Sequence, residues 1–181
     1  MHKTRPPGQA GARQRSHPQD QFNMPKQSAG LLIYRNRDGR IEVFLVHPGG
    51  PFWQSKDLGA WSIPKGEFTA DEDPLAVAQR ELREETGLSV DGPFVELEPI
   101  RQRGGKIVHA WIVKADFDSG DVKSNTFSLE WPRGSGKMAT FPEVDRAEWF
   151  SLDEAREKIL TSQRPLLDRL HSILSSEPGG S

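Results

Sequence analysis

The stretch from Gly66 to Leu88, GEFTADEDPLAVAQRELREETGL, constrains this chain more than any other segment. Asp73 offers an N-cap, and Pro74 fits the first helical position, where its missing N–H costs nothing. Leu75, Ala78 and Leu82 recur at helical spacing and predict one apolar stripe, and Gly87 supplies the stop. At about 100° per residue, Glu81, Glu84 and Glu85 share an arc of about 100° beside that stripe. Like charges three and four residues apart destabilise a helix, and the negative end of the helix dipole disfavours anions in the last turns. Arg80 and Arg83 can offset part of this repulsion, as on an ordinary solvated face. A hard divalent cation would offset it better, because Mg²⁺ takes oxygen ligands and keeps waters.

Composition narrows the alternatives. The chain has 181 residues and no cysteine, which excludes a disulfide scaffold, a thiolate zinc site and a cysteine nucleophile. Its apolar runs are far shorter than the roughly 20 residues needed to span a bilayer. The formal net charge is −2, but residues 1–23 hold four basic side chains against Asp20, so the remainder carries −5. Residues 1–25 read as a disordered basic tail, too poor in apolar side chains to offset their ordering entropy. The tail has no apolar core of a secretory signal and lacks the amphipathic face of a transit peptide. Residues 26–175 read as one folded domain and 176–181 as a flexible end. Near-neutral charge makes nucleic acid an unlikely partner for that domain.

Within the domain, 29–34 and 41–46 predict two strands joined by the Asp38-Gly39 turn. Residues 47–60 predict a long Gly- and aromatic-rich loop, of the kind that often carries function. Short strands are predicted at 61–63, 94–98, 106–114, 126–130 and 147–150. Helices are predicted at 152–160 and 165–174. No nucleophile elbow surrounds Ser135, and Gly136-Lys137 lacks the P-loop spacing.

The segment 66–88 resembles the Nudix box at every defining position: Gly66, Glu72, Arg80-Glu81-Leu82, Glu84-Glu85 and Gly87-Leu88, at the family's spacing. The resemblance implies an α/β/α sandwich with a mixed β-sheet and a metal-dependent pyrophosphohydrolase. It implies Mg²⁺, with Mn²⁺ as a substitute, held by Glu81, Glu84, Glu85 and the Gly66 carbonyl. Glu72 and Arg80 are implied to form an internal ion pair, so with Gly87 they take structural roles. Glu81 and Glu84 are catalytic candidates, Glu84 being the first choice as general base. Glu143, in FPEVDRAEWF, is the alternative base or else a surface acid near a turn. Glu67 is either a further metal ligand or a solvated loop acid.

Trp61-Ser62-Ile63-Pro64-Lys65-Gly66 resembles the W-x-x-P-K-G lead-in of several Nudix hydrolase groups, and SAGLLIYR, LVHPGGPFW and WSIPKGE together resemble a bacterial, cytoplasmic one. Lys65, Arg101 and Lys106 are candidates to receive phosphates, with solvent-facing lysines or a charged hairpin tip as the ordinary alternative. Phe52 and Trp53 can stack on a base or cover the core. Trp131 and the loop 132–142, with Arg133 and Lys137, form a third candidate on the substrate side. His47 reads as solvent-facing, with a polar contact at the strand end as the alternative. The expected substrate is a small polyphosphate: a dinucleoside polyphosphate or a modified nucleoside triphosphate. Inositol pyrophosphates, capped RNA and a nucleotide sensor without turnover remain as alternatives. Many members of the family pair, which leaves a homodimer open.

Overall fold

The computed structural model describes residues 24–177. Residues 1–23 of the expected tail and residues 178–181 of the expected flexible end lie outside the described residues. The first hairpin forms as the sequence predicts. Strand β1 (Gln27–Arg37) pairs antiparallel with β2 (Arg40–Pro48), and Asn36 Oδ1 accepts from the Gly39 amide at 3.0 Å to close the turn. β1 then serves three neighbours at once. Its first residues pair antiparallel with β3 (Lys65–Phe68), its far end pairs with β2, and β6 (Ile107–Lys114) runs parallel along its other edge. β4 (Val95–Glu96) and β5 (Ile100–Arg101) are short additions on β6, and β9 (Val144–Ser151) closes the sheet beyond β2.

The period-2 alternation of β1 and β2 divides two cores. Ala29, Leu31, Ile33, Phe44 and Val46 face helix α1 (Pro74–Thr86) through Val77, Ala78 and Leu82. Leu32, Val43 and Leu45 face the opposite layer, built from α2 (Leu152–Lys158) and α3 (Arg164–Ser176) through Ala155, Leu166, Leu167 and Leu170. The chain is therefore an α/β/α sandwich around a mixed sheet. Among the described residues, no helix is long and apolar enough to cross a membrane.

Several expectations change. The segment 61–63 forms only isolated bridges, Ser62 to Val46 and Trp61 to Ile159, because Pro64 has no N–H to continue a ladder. The expected strand at 94–98 shrinks to Val95–Glu96. The loop expected over 132–142 contains a strand: β8 (Met138–Pro142) pairs with β7 (Thr126–Glu130) in a separate two-stranded sheet. Leu75 is only partly buried, and Val77 and Thr86 complete the buried face of α1 with Ala78 and Leu82.

Candidate functional site

The local chemistry of α1 follows its sequence. The Asp73 side chain accepts from the Ala76 amide at 3.0 Å, and Gly87 adopts φ 74° while its N–H donates to the Arg83 carbonyl. The preceding loop is tied to the helix by Arg80 Nη1 to Glu72 Oε1 at 3.1 Å, while Glu72 Oε2 accepts from the Thr69 amide at 2.9 Å. Leu82 is buried in the core, and this fixes the rotation of α1. Glu81 and Glu85 consequently point toward β3, and Glu84 lies further toward solvent.

β3 meets these acids directly. The Lys65 amide donates to Glu85 Oε2 at 3.3 Å. A Cβ at Gly66 would overlap the Glu81 carboxyl carbon and Cγ, so glycine is required for this close approach. Glu81 is 17% exposed and Glu84 46%. Burial, followed by the neighbouring Glu81, pushes Glu85 up to about 8. Burial and then Glu84 raise Glu81. Glu143 is raised by burial and by Glu84, which places this residue of the β8–β9 turn in electrostatic reach of the helix acids. Lys65 is lowered, first by burial and then by Lys106.

Between these groups lies a pocket of about 210 Å³. Lys65, Glu85 and Glu143 supply its polar end, while Val46, Trp53, Ile63 and Leu160 are among its apolar walls. The pocket thus joins acidic side chains to an apolar cleft. The donor set is all oxygen, which suits a hard divalent cation. Among the described residues, no three acidic or histidine side chains form a group that would hold a metal unaided. Mg²⁺ fits such an open arrangement, since it is ordinarily held by one or two carboxylates, waters and substrate phosphates.

The remaining candidates separate. Trp53 lines the pocket. Phe52, its chain neighbour, is 48% exposed and meets Trp131 edge-on instead. Lys106 Nζ donates to Glu67 Oε1 at 3.2 Å, and this bond, with Lys26 also nearby, holds Glu67 below the usual carboxylate range. Arg101 is exposed and its Nη1 donates to the Gly105 carbonyl at 3.4 Å, outside the pocket lining.

His47 corrects the sequence expectation: it is 0% exposed. Its Nδ1 lies 2.6 Å from Asp145 Oδ1 and its Nε2 2.6 Å from the Lys56 carbonyl. Both neighbours are hydrogen-bond acceptors, so the ring bridges β9 and the 47–60 loop. The ring packs edge-on to Trp61, whose Nε1 donates to Asp57 Oδ1 at 2.8 Å, and Asp57 pairs with Lys158 at 2.5 Å. This clamp fastens the loop bearing Trp53 to β9, two residues beyond Glu143. Sequence reasoning missed Asp145 and Asp57 because their partners lie 98 and 101 residues away. Gln163 was missed for the same reason: it is buried, and its Oε1 accepts from the Ile63 amide at 3.1 Å.

Comparison with known proteins adds independent support. The NUDIX domain family matches residues 24–170. An octanoyltransferase of Myxococcus xanthus is 27% identical over 135 residues, covering 75% of this chain and 33% of that one. An RNA pyrophosphohydrolase of Erythrobacter litoralis is 41% identical over 66 residues, covering 36% of each chain. The chain thus spans about a third of the length of the curated relatives it matches. Among solved structures, a C. elegans Ap4A hydrolase binary complex superposes with TM-score 0.59 at 24% identity, covering 82% of this chain and 98% of that one. The NUDIX domain of Shewanella oneidensis NrtR complexed with ADP ribose gives TM-score 0.61 at 17% identity, covering 88% and 94%. At these identities the superpositions establish the fold, whereas the family match spans most of the chain and includes the complete acid motif: this chain belongs to the NUDIX family.

Proposed function

We propose that this domain hydrolyses a phosphoanhydride bond in a nucleoside diphosphate-X compound with Mg²⁺, or with Mn²⁺ in its place. The observation that carries the reading is the convergence of Glu85, Glu143 and Lys65 at one end of a mostly apolar pocket, with Glu81 in electrostatic reach of them. The family match and the resemblance to an RNA pyrophosphohydrolase favour the same reaction class.

Glu81, Glu84, Glu85 and the Gly66 carbonyl would hold the cation. Such a cation would supply neutralisation of the phosphate charge and activation of the attacking water. Glu84, the most exposed acid of the three, takes the water's proton as general base, with Glu143 as the second candidate. The water oxygen bonds to phosphorus, the anhydride P–O bond breaks, and the leaving phosphate departs with the bridging oxygen. Lys65, whose backbone amide donates to Glu85 and whose side chain lines the same pocket, would meet a phosphate oxygen. Glu72 and Arg80 hold the loop against the helix, and Arg80 also lies 3.8 Å from Glu84 Oε1 and 3.9 Å from Glu81 Oε1, where it offsets the charge of the acid cluster.

A largely apolar pocket walled by Trp53 suits a nucleobase better than a polyhydroxylated inositol ring, because a flat base gains stacking and apolar contact there that a hydroxylated ring does not. This favours nucleotide substrates, with dinucleoside polyphosphates ahead of modified nucleoside triphosphates. A nucleotide sensor would need none of the motif acids, and this chain retains all of them.

The test is a substrate panel with Mg²⁺ in oxygen-18 water, read by mass spectrometry, for the wild-type chain and Glu84→Gln. Turnover of a nucleotide that Glu84→Gln abolishes while remaining folded is the expected result. Near-wild-type turnover by that variant would reject Glu84 as base. Nucleotide-dependent thermal stabilisation without any product would establish the sensor reading instead.

A further inference from the structure

The β7–β8 hairpin stands apart from the main sheet, yet both of its ends are fastened to the acid site. The Asn125 amide donates to the Glu84 carbonyl at 3.1 Å, the Glu143 amide to the Asn125 carbonyl at 2.8 Å, and the Gly49 amide to the Glu143 carbonyl at 2.9 Å. Along the arm, Phe127, Leu129, Ala139 and Phe141 are half-buried, alternating with exposed Ser128, Glu130, Met138 and Thr140. The half-buried face leans on the Gly49-Gly50 turn: a Cβ at Gly50 would sit 2.9 Å from Phe127 Cζ, and one at Gly49 would overlap the Pro142 carbonyl. Two consecutive glycines are therefore what lets the hairpin approach the 47–60 loop.

The approach brings three side chains together at the tip. Trp131 meets Phe52 edge-on with centroids 5.4 Å apart, and the Arg133 guanidinium lies 5.4 Å from the Phe52 centroid. Lys137 adds a second exposed cation, and its carbonyl accepts from the Trp131 amide at 2.9 Å. Phe52 and Trp53 are adjacent in one turn, but Trp53 walls the pocket while Phe52 faces the hairpin. One turn thus presents one aromatic ring to the pocket that Glu85 and Glu143 line, and another to the hairpin.

We propose that Phe52, Trp131 and Arg133 form a second nucleoside site, which receives the distal base of a dinucleoside polyphosphate while the proximal base occupies the Trp53 pocket. Aromatic and guanidinium faces accept any nucleobase by stacking, and the two cations complement the polyphosphate that leads to it. A nucleoside triphosphate has no second base to place there. The inference rests on the nucleotide reading of the pocket and specifies its substrate class.

The test is calorimetric binding to the full chain carrying Glu84→Gln, with Mg²⁺, using diadenosine tetraphosphate and ATP as probes. A single stacked base gives a preference for diadenosine tetraphosphate of about 5- to 150-fold. Adding Trp131→Ala should collapse the ratio of the two affinities toward one, and Arg133→Ala, an exposed position that cannot disturb the core, should reduce it in the same direction. A ratio that survives both substitutions overturns the site. So does a 5′-triphosphorylated RNA trinucleotide that gains affinity from Trp131 when diadenosine tetraphosphate does not. Equal binding of the two nucleotides by the Glu84→Gln chain sinks the second site alone, whereas no binding of either sinks the nucleotide reading of the pocket with it.

Discussion

Replacing His47 by alanine should destabilise the domain well beyond the loss of one side chain from a loop. The ring is fully buried and makes two polar contacts of 2.6 Å, one of them to a carboxylate. A hydrogen bond to a charged group contributes about 1.5–3 kcal/mol, and one to a neutral carbonyl about 1 kcal/mol. Asp145 is 24% exposed and keeps Arg146 at 3.9 Å, so water and the guanidinium recover part of what its carboxylate loses. The edge-on contact with Trp61 is lost outright. The net expectation is a loss of about 2–4 kcal/mol, which for a domain of this size lowers Tm by about 5–15 °C. Calorimetric melting of the metal-free protein measures this directly. His47→Gln can keep only one of the two bonds and should fall between. Hydrogen exchange should show the amides of 53–60 opening more readily than those of α1, since Lys56 is the residue released. A Tm for His47→Ala within about 2 °C of wild type would refute the clamp, because it would mean that both buried bonds contribute nothing net.

Three further outcomes are expected. Gly66→Ala should keep the fold but force Glu81 aside, lowering kcat/KM by about 100-fold, the scale of a misplacement near 1 Å, with the Mg²⁺ dependence of turnover shifted to higher concentration. In chelator-treated protein, Glu85 should make stability fall as pH rises: its folded value of about 8 exceeds the ordinary 4.5, so the folded state binds the extra proton and loses that advantage between those limits. Glu85→Gln should therefore raise Tm in chelator, more at pH 9 than at pH 5, and an equal gain at both would contradict the burial argument. Asp73→Ala should cost about 1 kcal/mol in urea unfolding through loss of the cap on the Ala76 amide, without changing the m-value.

Helix α1 and its acids were legible because every determinant is local. Asp73, Pro74 and Gly87 set its limits, and the spacing of Glu81, Glu84 and Glu85 along a 3.6-residue period sets their shared arc. The first hairpin was legible for the same reason, since Asp38-Gly39 and period-2 alternation act over a dozen residues. Even here the side facing the core needed the structure: Leu75 fits the stripe but lies only partly buried, because the sheet meets α1 through Val77, Ala78, Leu82 and Thr86.

Local pattern could not show which partners distant residues find. β8 looked like loop because MATFP is short and ends in proline, and it becomes a strand only through pairing with β7. Phe52 and Trp53 are indistinguishable as neighbours in a sequence, yet one faces the hairpin and the other the pocket. His47 looked like a polar strand end until Asp145 and the Lys56 carbonyl enclosed it. By itself, then, the sequence determined the acid helix and the family, since backbone propensity, capping and side-chain period are properties of contiguous residues. The pocket, the clamp and the position of Glu143 were decided only by tertiary structure, because burial and electrostatic coupling depend on which remote segments the sheet brings together.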